Sequence, residues 1–206
     1  MNCRMMTYPS VWDWLLASRH LDWSRAGPHE AVIRDTTLRG VSDGRWMSDK
    51  DLPAAEGQLL DILLPLTVAD GPLVVAQLGQ SLDGRIATES GDSWYINGKV
   101  ARAHLHRLRA LVDAVVVGAG TAAEDRPRLS VRHVPGPDPM PVILDPRGRV
   151  KPTGPLFGRT SDQPPVIHLV TSAAGELPKP PAGVERVVVV SDGRGRVAPR
   201  TVIDML

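Results

Sequence analysis

Several large classes of protein are excluded by what this sequence lacks. A single cysteine, Cys3, stands among 206 residues, so neither a disulfide framework nor a zinc site built on several thiolates can form. No apolar run approaches the roughly 18 residues that a bilayer-spanning helix requires. Met1-Asn2-Cys3-Arg4-Met5-Met6 leads into no apolar stretch, so a secretory leader is not expected either. Neither sign of charge dominates: 24 Lys and Arg face 23 Asp and Glu, for a formal net charge of +1. That balance offers no general attraction to nucleic acid or to an anionic membrane. A cytoplasmic protein without nucleic-acid or membrane partners is expected. Aromatics make up only 4% of the chain, and five of them are Trp.

What is present divides into two parts. Four tryptophans, Trp12, Trp14, Trp23 and Trp46, fall in residues 1–70, read as a Trp-containing N-terminal extension. Trp12 to Ser18 suits a short helix with Ser10 as its N-cap. Loops and short strands follow from Gly27 to Leu52. Ala54 to Leu66 reads as a second helix with Leu59, Ile62, Leu63 and Leu66 on its apolar face. Asp70-Gly71-Pro72 is a turn signal, and residues 71–206 form the second part. There strand and helix patterns alternate. Leu73 to Leu78, Asp113 to Gly118, Pro141 to Asp145, Val166 to Val170 and Arg186 to Val190 read as strands, the second of them buried on both faces. Asn97 to Val112 reads as a helix capped by Asn97, with a stripe of Val100, Ala101, Leu105, Leu108 and Val112. A last helix begins near Ala198. This alternation predicts an α/β sheet with right-handed crossovers, whose ligands sit beyond the carboxyl ends of its strands.

Three strand-end loops are therefore informative. In Gly79-Gln80-Ser81-Leu82-Asp83-Gly84-Arg85, spacing alone is compatible with an ordinary turn or with a ligand loop. Gly91-Asp92-Ser93-Trp94-Tyr95-Ile96-Asn97 follows, placing hydroxyls and two aromatic rings before a helix. Gly118-Ala119-Gly120-Thr121-Ala122-Ala123 matches a dinucleotide fingerprint in letters. However, that fingerprint must open a long helix, and Pro127 ends any helix here after about one turn. What survives is a glycine loop, with Thr121 and with Asp125 as an acceptor for ribose hydroxyls. Asp145-Pro146-Arg147-Gly148-Arg149 is the third loop. His104 and His106 point to different sides of a helix, so no metal is expected. His29-Glu30 lacks the later Pro-Cys-x-x-Cys of zinc deaminases. Neither a G-x-S-x-G elbow nor a P-loop occurs.

Taken together, Ser81-Leu82-Asp83-Gly84-Arg85-Ile86-Ala87, Gly91-Asp92-Ser93, Leu108-Arg109-Ala110, Asp113-Ala114, Gly120-Thr121, Asp125-Arg126-Pro127-Arg128-Leu129, Val131-Arg132 and Ile143-Leu144-Asp145 resemble the pyrimidine reductase of riboflavin biosynthesis. This is the C-terminal reductase domain of the bifunctional RibD type. The resemblance is strong from about Pro72 to Lys151, holds in pattern to Leu206, and leaves residues 1–70 uncovered; that segment does not look like the family's deaminase. It implies a dihydrofolate-reductase-like α/β fold, with a mixed, mostly parallel sheet flanked by helices. It also implies NADPH-dependent reduction of 5-amino-6-(5-phosphoribosylamino)uracil, with hydride delivered to the sugar C1′, and a homodimer. Carried over by position, Ser93, Arg109, Leu129 and Arg132 would bind the phosphoribosyl substrate. Gly79, Tyr95, Thr121, Asp125 and Pro146 would contact NADPH, with Trp94 one residue from the expected ring. Asp83 and Asp125 are the carboxylates considered for catalysis. The resemblance further implies a later Glu-Gly-Gly and additional strands. No Glu-Gly-Gly occurs in the 206 residues, so a sheet incomplete at its C-terminal end and weak NADPH binding are expected. Two alternatives remain: a truncated or degenerate reductase without turnover, and a dihydrofolate-reductase-like enzyme with another substrate.

Overall fold

Ser10 opens the first helix as its residue type suggests. Its hydroxyl accepts the Asp13 backbone N–H at 3.2 Å and donates to the Asp13 carboxylate at 2.6 Å. This satisfies one of the donors left over at the first turn of any helix. In the computed structural model, residues 6–25, 27–91, 96–192 and 194–206 are described. They belong to two compact units, Met1–Gly79 and Gln80–Leu206.

In the first unit, α1 (Val11–Ser18) buries Val11, Trp12, Trp14 and Leu15. Strands β1 (Met6–Tyr8), β2 (His29–Ile33), β3 (Thr36–Gly40) and β4 (Trp46–Ser48) form a mixed sheet in that order. β1 pairs with β2 in parallel, and the other pairs are antiparallel. The large Trp14 ring explains Gly40: a Cβ there would meet the ring at 2.7 Å. α2 (Ala54–Thr67) packs on α1. Its buried face is Leu60, Leu63 and Leu64, while Ile62 is 54% exposed. The expected face was different. The Leu-rich helix offers two overlapping stripes with the same spacing and Leu63 in common, and packing on α1 selects the one that starts at Leu60.

In the second unit, α3 (Lys99–Leu111) precedes β5 (Ala114–Gly118), α4 (Ala119–Glu124), β6 (Met140–Leu144), β7 (Val166–Val170), β8 (Val184–Val188) and α5 (Pro199–Met205). The strands run β5-β6-β7-β8, all parallel. Successive strand residues face opposite sides, which separates two cores. Ile143 and Val166 pack with Ala119 and Ala122 of α4 and with Leu129, Val150 and Leu156. Val142, Ile167 and Leu169 pack with Val202 of α5. The α/β class expected from the sequence is observed, with the mixed sheet confined to the first unit.

Three local expectations are corrected. Leu73–Leu78 is not a strand; it has no ladder partner among the described residues, and Val74 is 69% exposed. β5 is an edge strand rather than a doubly buried one, with Val116 44% exposed. A β-branched run indicates a strand conformation but does not say on how many sides it is covered. Finally, α3 starts after Gly98 without a side-chain cap, not at Asn97, and its buried residues are His106, Leu108, Ala110 and Leu111. Val100 faces solvent because the stripe is rotated by His106, a polar residue that apolar periodicity does not count.

Candidate functional site

α3 and the segment following α4 meet at Ser130. Arg109, on α3, donates from Nη1 to the Ser130 carbonyl at 3.5 Å. Arg132 donates from Nη1 to the same carbonyl at 3.3 Å and to the Ser130 hydroxyl at 3.0 Å. Two guanidinium groups from separate segments thus converge on one point. Among the described residues neither forms an ion pair, and the half-buried Arg109 keeps an Nε with no hydrogen-bond partner. Burial, and then the neighbouring Arg132 charge, lower the Arg109 pKa from its ordinary value. Two like charges held together with unfilled donors fit a multiply charged anion, since a guanidinium can grip phosphate through two parallel bonds.

What holds this pair in place is His106, which sequence reasoning weighed only as a metal ligand. It is 3% exposed. Its Nδ1 accepts the Arg132 backbone N–H at 3.0 Å, so the ring proton resides on Nε2. Its edge meets the His133 ring at a centroid distance of 4.5 Å. Burial first, then Arg109, Arg132 and His133, push its pKa down to about 4 against an opposing pull from Asp138. The ring is therefore neutral near pH 7 and remains an acceptor. The signal was present in the sequence as spacing: His106 and Arg109 lie three residues apart on one helix face. Asp138 fastens the same segment by accepting the Val131 N–H at 2.7 Å. Arg159 approaches its carboxylate at 3.5 Å.

Leu129 sits within this segment in the left-handed region, at φ 56°. Its side chain is only 3% exposed and packs in the core beside Ala119 and Ile143. Only its backbone is left to face a ligand. Ser93 and Tyr95, with Trp94, lie outside the described residues. Asp83 lies in a closed turn: the Ser81 hydroxyl donates to its carboxylate, Arg85 Nε lies 3.5 Å away, and Gly84 N–H donates to the Ser81 carbonyl at 2.9 Å. Gly84 takes φ 80° to close it. The local geometry there is that of a turn.

Thr121 and Asp125 share α4 and its C-terminal boundary, where the Asp125 N–H donates to the Thr121 carbonyl at 3.1 Å. Both side chains are exposed, and the Asp125 carboxylate has no partner among the described residues. α4 stops after Glu124, and Arg126 turns to φ 45°, because the following Pro127 excludes the helical conformation. The donor set therefore fits ribose hydroxyls: a free hydroxyl and a free carboxylate one turn apart on a short helix. Pro146 is placed differently from a free backbone contact. Its carbonyl already accepts the Thr171 N–H at 3.2 Å and hydroxyl at 2.7 Å, and proline has no N–H. Gly79 ends the first unit.

The loop after β6 is anchored from below by Asp145, which is fully buried. Its Oδ2 accepts the Val150 N–H at 2.8 Å and lies 3.1 Å from His168 Nε2. Burial would raise its pKa. The N–H groups of Val150 and Arg149, together with His168, outweigh that effect and hold it below the usual carboxylate value. Among the described residues no group of three or more His, Cys, Asp and Glu could hold a metal ion. No described helix is long and apolar enough to cross a membrane.

These features define an α/β protein in which α3 and the segment after α4 bring two arginines to one carbonyl. Residues 72–203 match the family model described as the RibD C-terminal domain, and the chain belongs to that family. It is 36% identical over 133 residues to the 2,5-diamino-6-ribosylamino-4(3H)-pyrimidinone 5′-phosphate reductase of Methanothermobacter thermautotrophicus, covering 61% of this chain and 57% of that protein. It is 42% identical over 95 residues to the riboflavin biosynthesis protein RibD of Chlamydia trachomatis, covering 44% and 24%. A solved deaminase/5-amino-6-(5-phosphoribosylamino)uracil reductase from Thermotoga maritima aligns at 34% identity and a TM-score of 0.43, over 53% of this chain and 30% of the other. The chain thus spans less than two thirds of the length of these relatives.

Proposed function

We propose that this chain acts as an NADPH-dependent reductase of riboflavin biosynthesis, in the cytoplasm, on 5-amino-6-(5-phosphoribosylamino)uracil or a close phosphoribosyl relative. Residues 71–206 carry the reductase function, and residues 1–70 form an extension. The observation that carries this reading is the convergence of Arg109 and Arg132 at Ser130 without an acidic partner. A pteridine substrate would leave those charges unmatched. The names of the relatives agree with a phosphorylated ribosylaminopyrimidine.

In this mechanism NADPH supplies the hydride that goes to the sugar C1′. The protein's residues position and shield the reactants. Arg109 and Arg132 hold the substrate phosphate, and His106 keeps the Arg132 backbone in register. Ser93 and the Leu129 backbone complete the substrate side. Thr121 and Asp125 receive the cofactor's ribose, with Gly79, Tyr95 and Pro146 as its remaining proposed contacts. As the C1′–O bond opens, the ring oxygen must gain a proton. Of the two candidate carboxylates, Asp125 is unpartnered and Asp83 is engaged by Ser81.

The test is calorimetric titration of the intact chain with ribose 5-phosphate, for wild type and Arg132→Ala. Losing a charge-assisted bond of this kind should weaken binding by about 1.5–3 kcal/mol, or roughly 10- to 150-fold. With full substrate the KM should rise while NADPH affinity stays constant. Unchanged ribose 5-phosphate affinity, or an equal loss for both ligands, refutes the assignment.

A further inference from the structure

One acid stands close to the proposed phosphate position. Asp138 follows Arg132 in the same segment, and its charge reaches the site. Burial lowers the pKa of both Arg109 and His106, and Asp138 pulls both back up. A carboxylate so placed could swing onto either arginine and occupy the donors that a phosphate needs. Among the described residues it forms no ion pair with Arg109 or Arg132. Both of its oxygens are engaged elsewhere. Oδ1 accepts the Val131 N–H at 2.7 Å. Oδ2 accepts the Gln163 side-chain amide at 3.4 Å and lies 3.5 Å from Arg159 Nη2.

Arg159 reaches Asp138 from the connection between β6 and β7. Its side chain is only 3% exposed, and Asp138 is its one acidic partner among the described residues. Its Nε and Nη2 have no hydrogen-bond partner, and 3.5 Å is long for a directional bond. The contact is therefore one of charge balance. A buried guanidinium without a counter-charge is costly, and removing one member of such a pair leaves the other uncompensated. Gln163 is fixed in turn, because its Oε1 accepts the Thr160 N–H at 3.2 Å and hydroxyl at 3.3 Å. The backbone that carries Arg132 is thus pinned at two neighbouring N–H groups, Val131 by Asp138 and Arg132 by His106.

We infer that Arg159 is a positioning residue: it holds the Asp138 carboxylate away from Arg109 and Arg132, so that these two stay open to the substrate phosphate. The inference rests on the phosphate reading above. Arg159 touches no substrate in this scheme and acts through Asp138. Without the Arg159 charge, Asp138 is released to pair with Arg132, and the acid becomes an internal competitor of the phosphate.

The experiment titrates the intact chain with ribose 5-phosphate by calorimetry, for wild type, Arg159→Gln, Asp138→Asn and the double variant. Arg159→Gln should weaken binding about tenfold, the loss expected when one charge-assisted bond is competed away. Asp138→Asn keeps an acceptor for the Val131 N–H and carries no charge, so it should bind at least as tightly as wild type. Added to Arg159→Gln, it should restore the affinity to within about twofold, and Arg159→Lys should bind as wild type does. An arginine that merely supports the fold would give the same loss with or without the Asp138 charge, so failed rescue overturns the inference. Wild-type affinity in Arg159→Gln, with binding lost in Arg132→Ala, also overturns it and leaves the phosphate reading standing. If wild type does not bind ribose 5-phosphate, both readings fall. Should Arg159→Gln not fold, Asp138→Ala is compared with Asp138→Asn. Ala removes the Val131 anchor and should bind about tenfold more weakly; equal affinities overturn the inference.

Discussion

In the first unit, Arg34, Arg39, Arg45 and Lys50 each close onto a carboxylate, Glu56, Glu30, Asp43 and Asp35, at 2.5–2.7 Å. In the second, Arg109, Arg132, Arg126, Arg149 and Lys151 have no acidic partner among the described residues. The overall charge is nearly neutral, and composition alone gives no hint of this contrast. The first unit closes these four cations on its own acids and places its bulk in Trp14, Leu15 and Leu63, and the second likewise closes Arg85, Arg159, Arg196 and Arg200 on acids. The second also holds cations in reserve, Arg109 and Arg132 against a buried neutral histidine. Side chains that close on their own neighbours report on the fold. Of the cations held without partners, Arg109 and Arg132 are the ones proposed above to meet a ligand.

The largest effect should come from the first unit's interior. Trp14 is 1% exposed, and its ring fills the space above Gly40. Truncation leaves a cavity beside Gly40 of β3, and Trp14→Ala should cost about 3–5 kcal/mol. Urea unfolding measures it through the midpoint. Below the transition, ribose 5-phosphate affinity should hold its wild-type value. A cost below about 1 kcal/mol would mean that the Trp-rich segment is not a packed core, and the comparison would lose one side.

Much of this was legible in the sequence, for identifiable reasons. Ser10 announced α1, and the β-branched run Val166–Val170 is β7 residue for residue. Pro127 stopped α4, as its lack of a helix-compatible predecessor requires. Arg109 and Arg132 were marked by resemblance, and the structure brings them to one carbonyl. The failures share a cause, since each depends on a neighbour that local pattern does not specify. Leu73–Leu78 has strand composition and no ladder partner among the described residues. Val116 lies at an edge. The face of α2 was set by α1. His106 escaped notice because burial and its bond to the Arg132 N–H arise only when α3 meets a segment some twenty residues later. The Arg159–Asp138 pair was invisible for a similar reason, because its two members come from different loops.

The intermediate effect concerns pH. His106 has a folded pKa of about 4, against 6.5 for an unperturbed imidazole. The unfolded chain therefore takes up this proton first as pH falls. Stability from this group is complete above about pH 6.5, is lost as pH falls toward 4, and changes little below that. The loss should reach roughly 1–3 kcal/mol once screening discounts the full shift. Arg109, Arg132, His133 and Asp138 all face the ring, and other acids titrate in the same range. The useful quantity is therefore the difference between wild type and His106→Asn, whose Oδ1 can accept the Arg132 N–H without titrating. Melting temperature should decline more steeply between pH 6.5 and 4 in wild type than in His106→Asn. Parallel declines would remove His106 from the account. At pH 7, His106→Asn should retain ribose 5-phosphate affinity, whereas His106→Leu, which has no acceptor, should lose part of it.

The smallest expected effect tests whether location or charge matters. Arg39→Gln and Arg132→Gln remove the same unit of positive charge from a chain whose net charge is only +1. Arg39 lies on β3 in an exposed pair with Glu30, the side chains 42% and 38% exposed. Water solvates both partners when such a pair opens, so little stability should be lost. Arg132 and Arg109 share the Ser130 carbonyl, at the proposed phosphate position. If ligand binding reflects local geometry, Arg39→Gln should leave the melting temperature and ribose 5-phosphate affinity almost untouched, while Arg132→Gln lowers that affinity at least about tenfold. Raising the salt concentration adds a second reading. Long-range attraction is screened beyond about 10 Å at 0.1 M salt, whereas a bond held in fixed geometry persists. Equal losses for the two variants, both erased by salt, would show that the protein attracts phosphate through its net field. The distinction between paired and unpaired cations would then have no bearing on function.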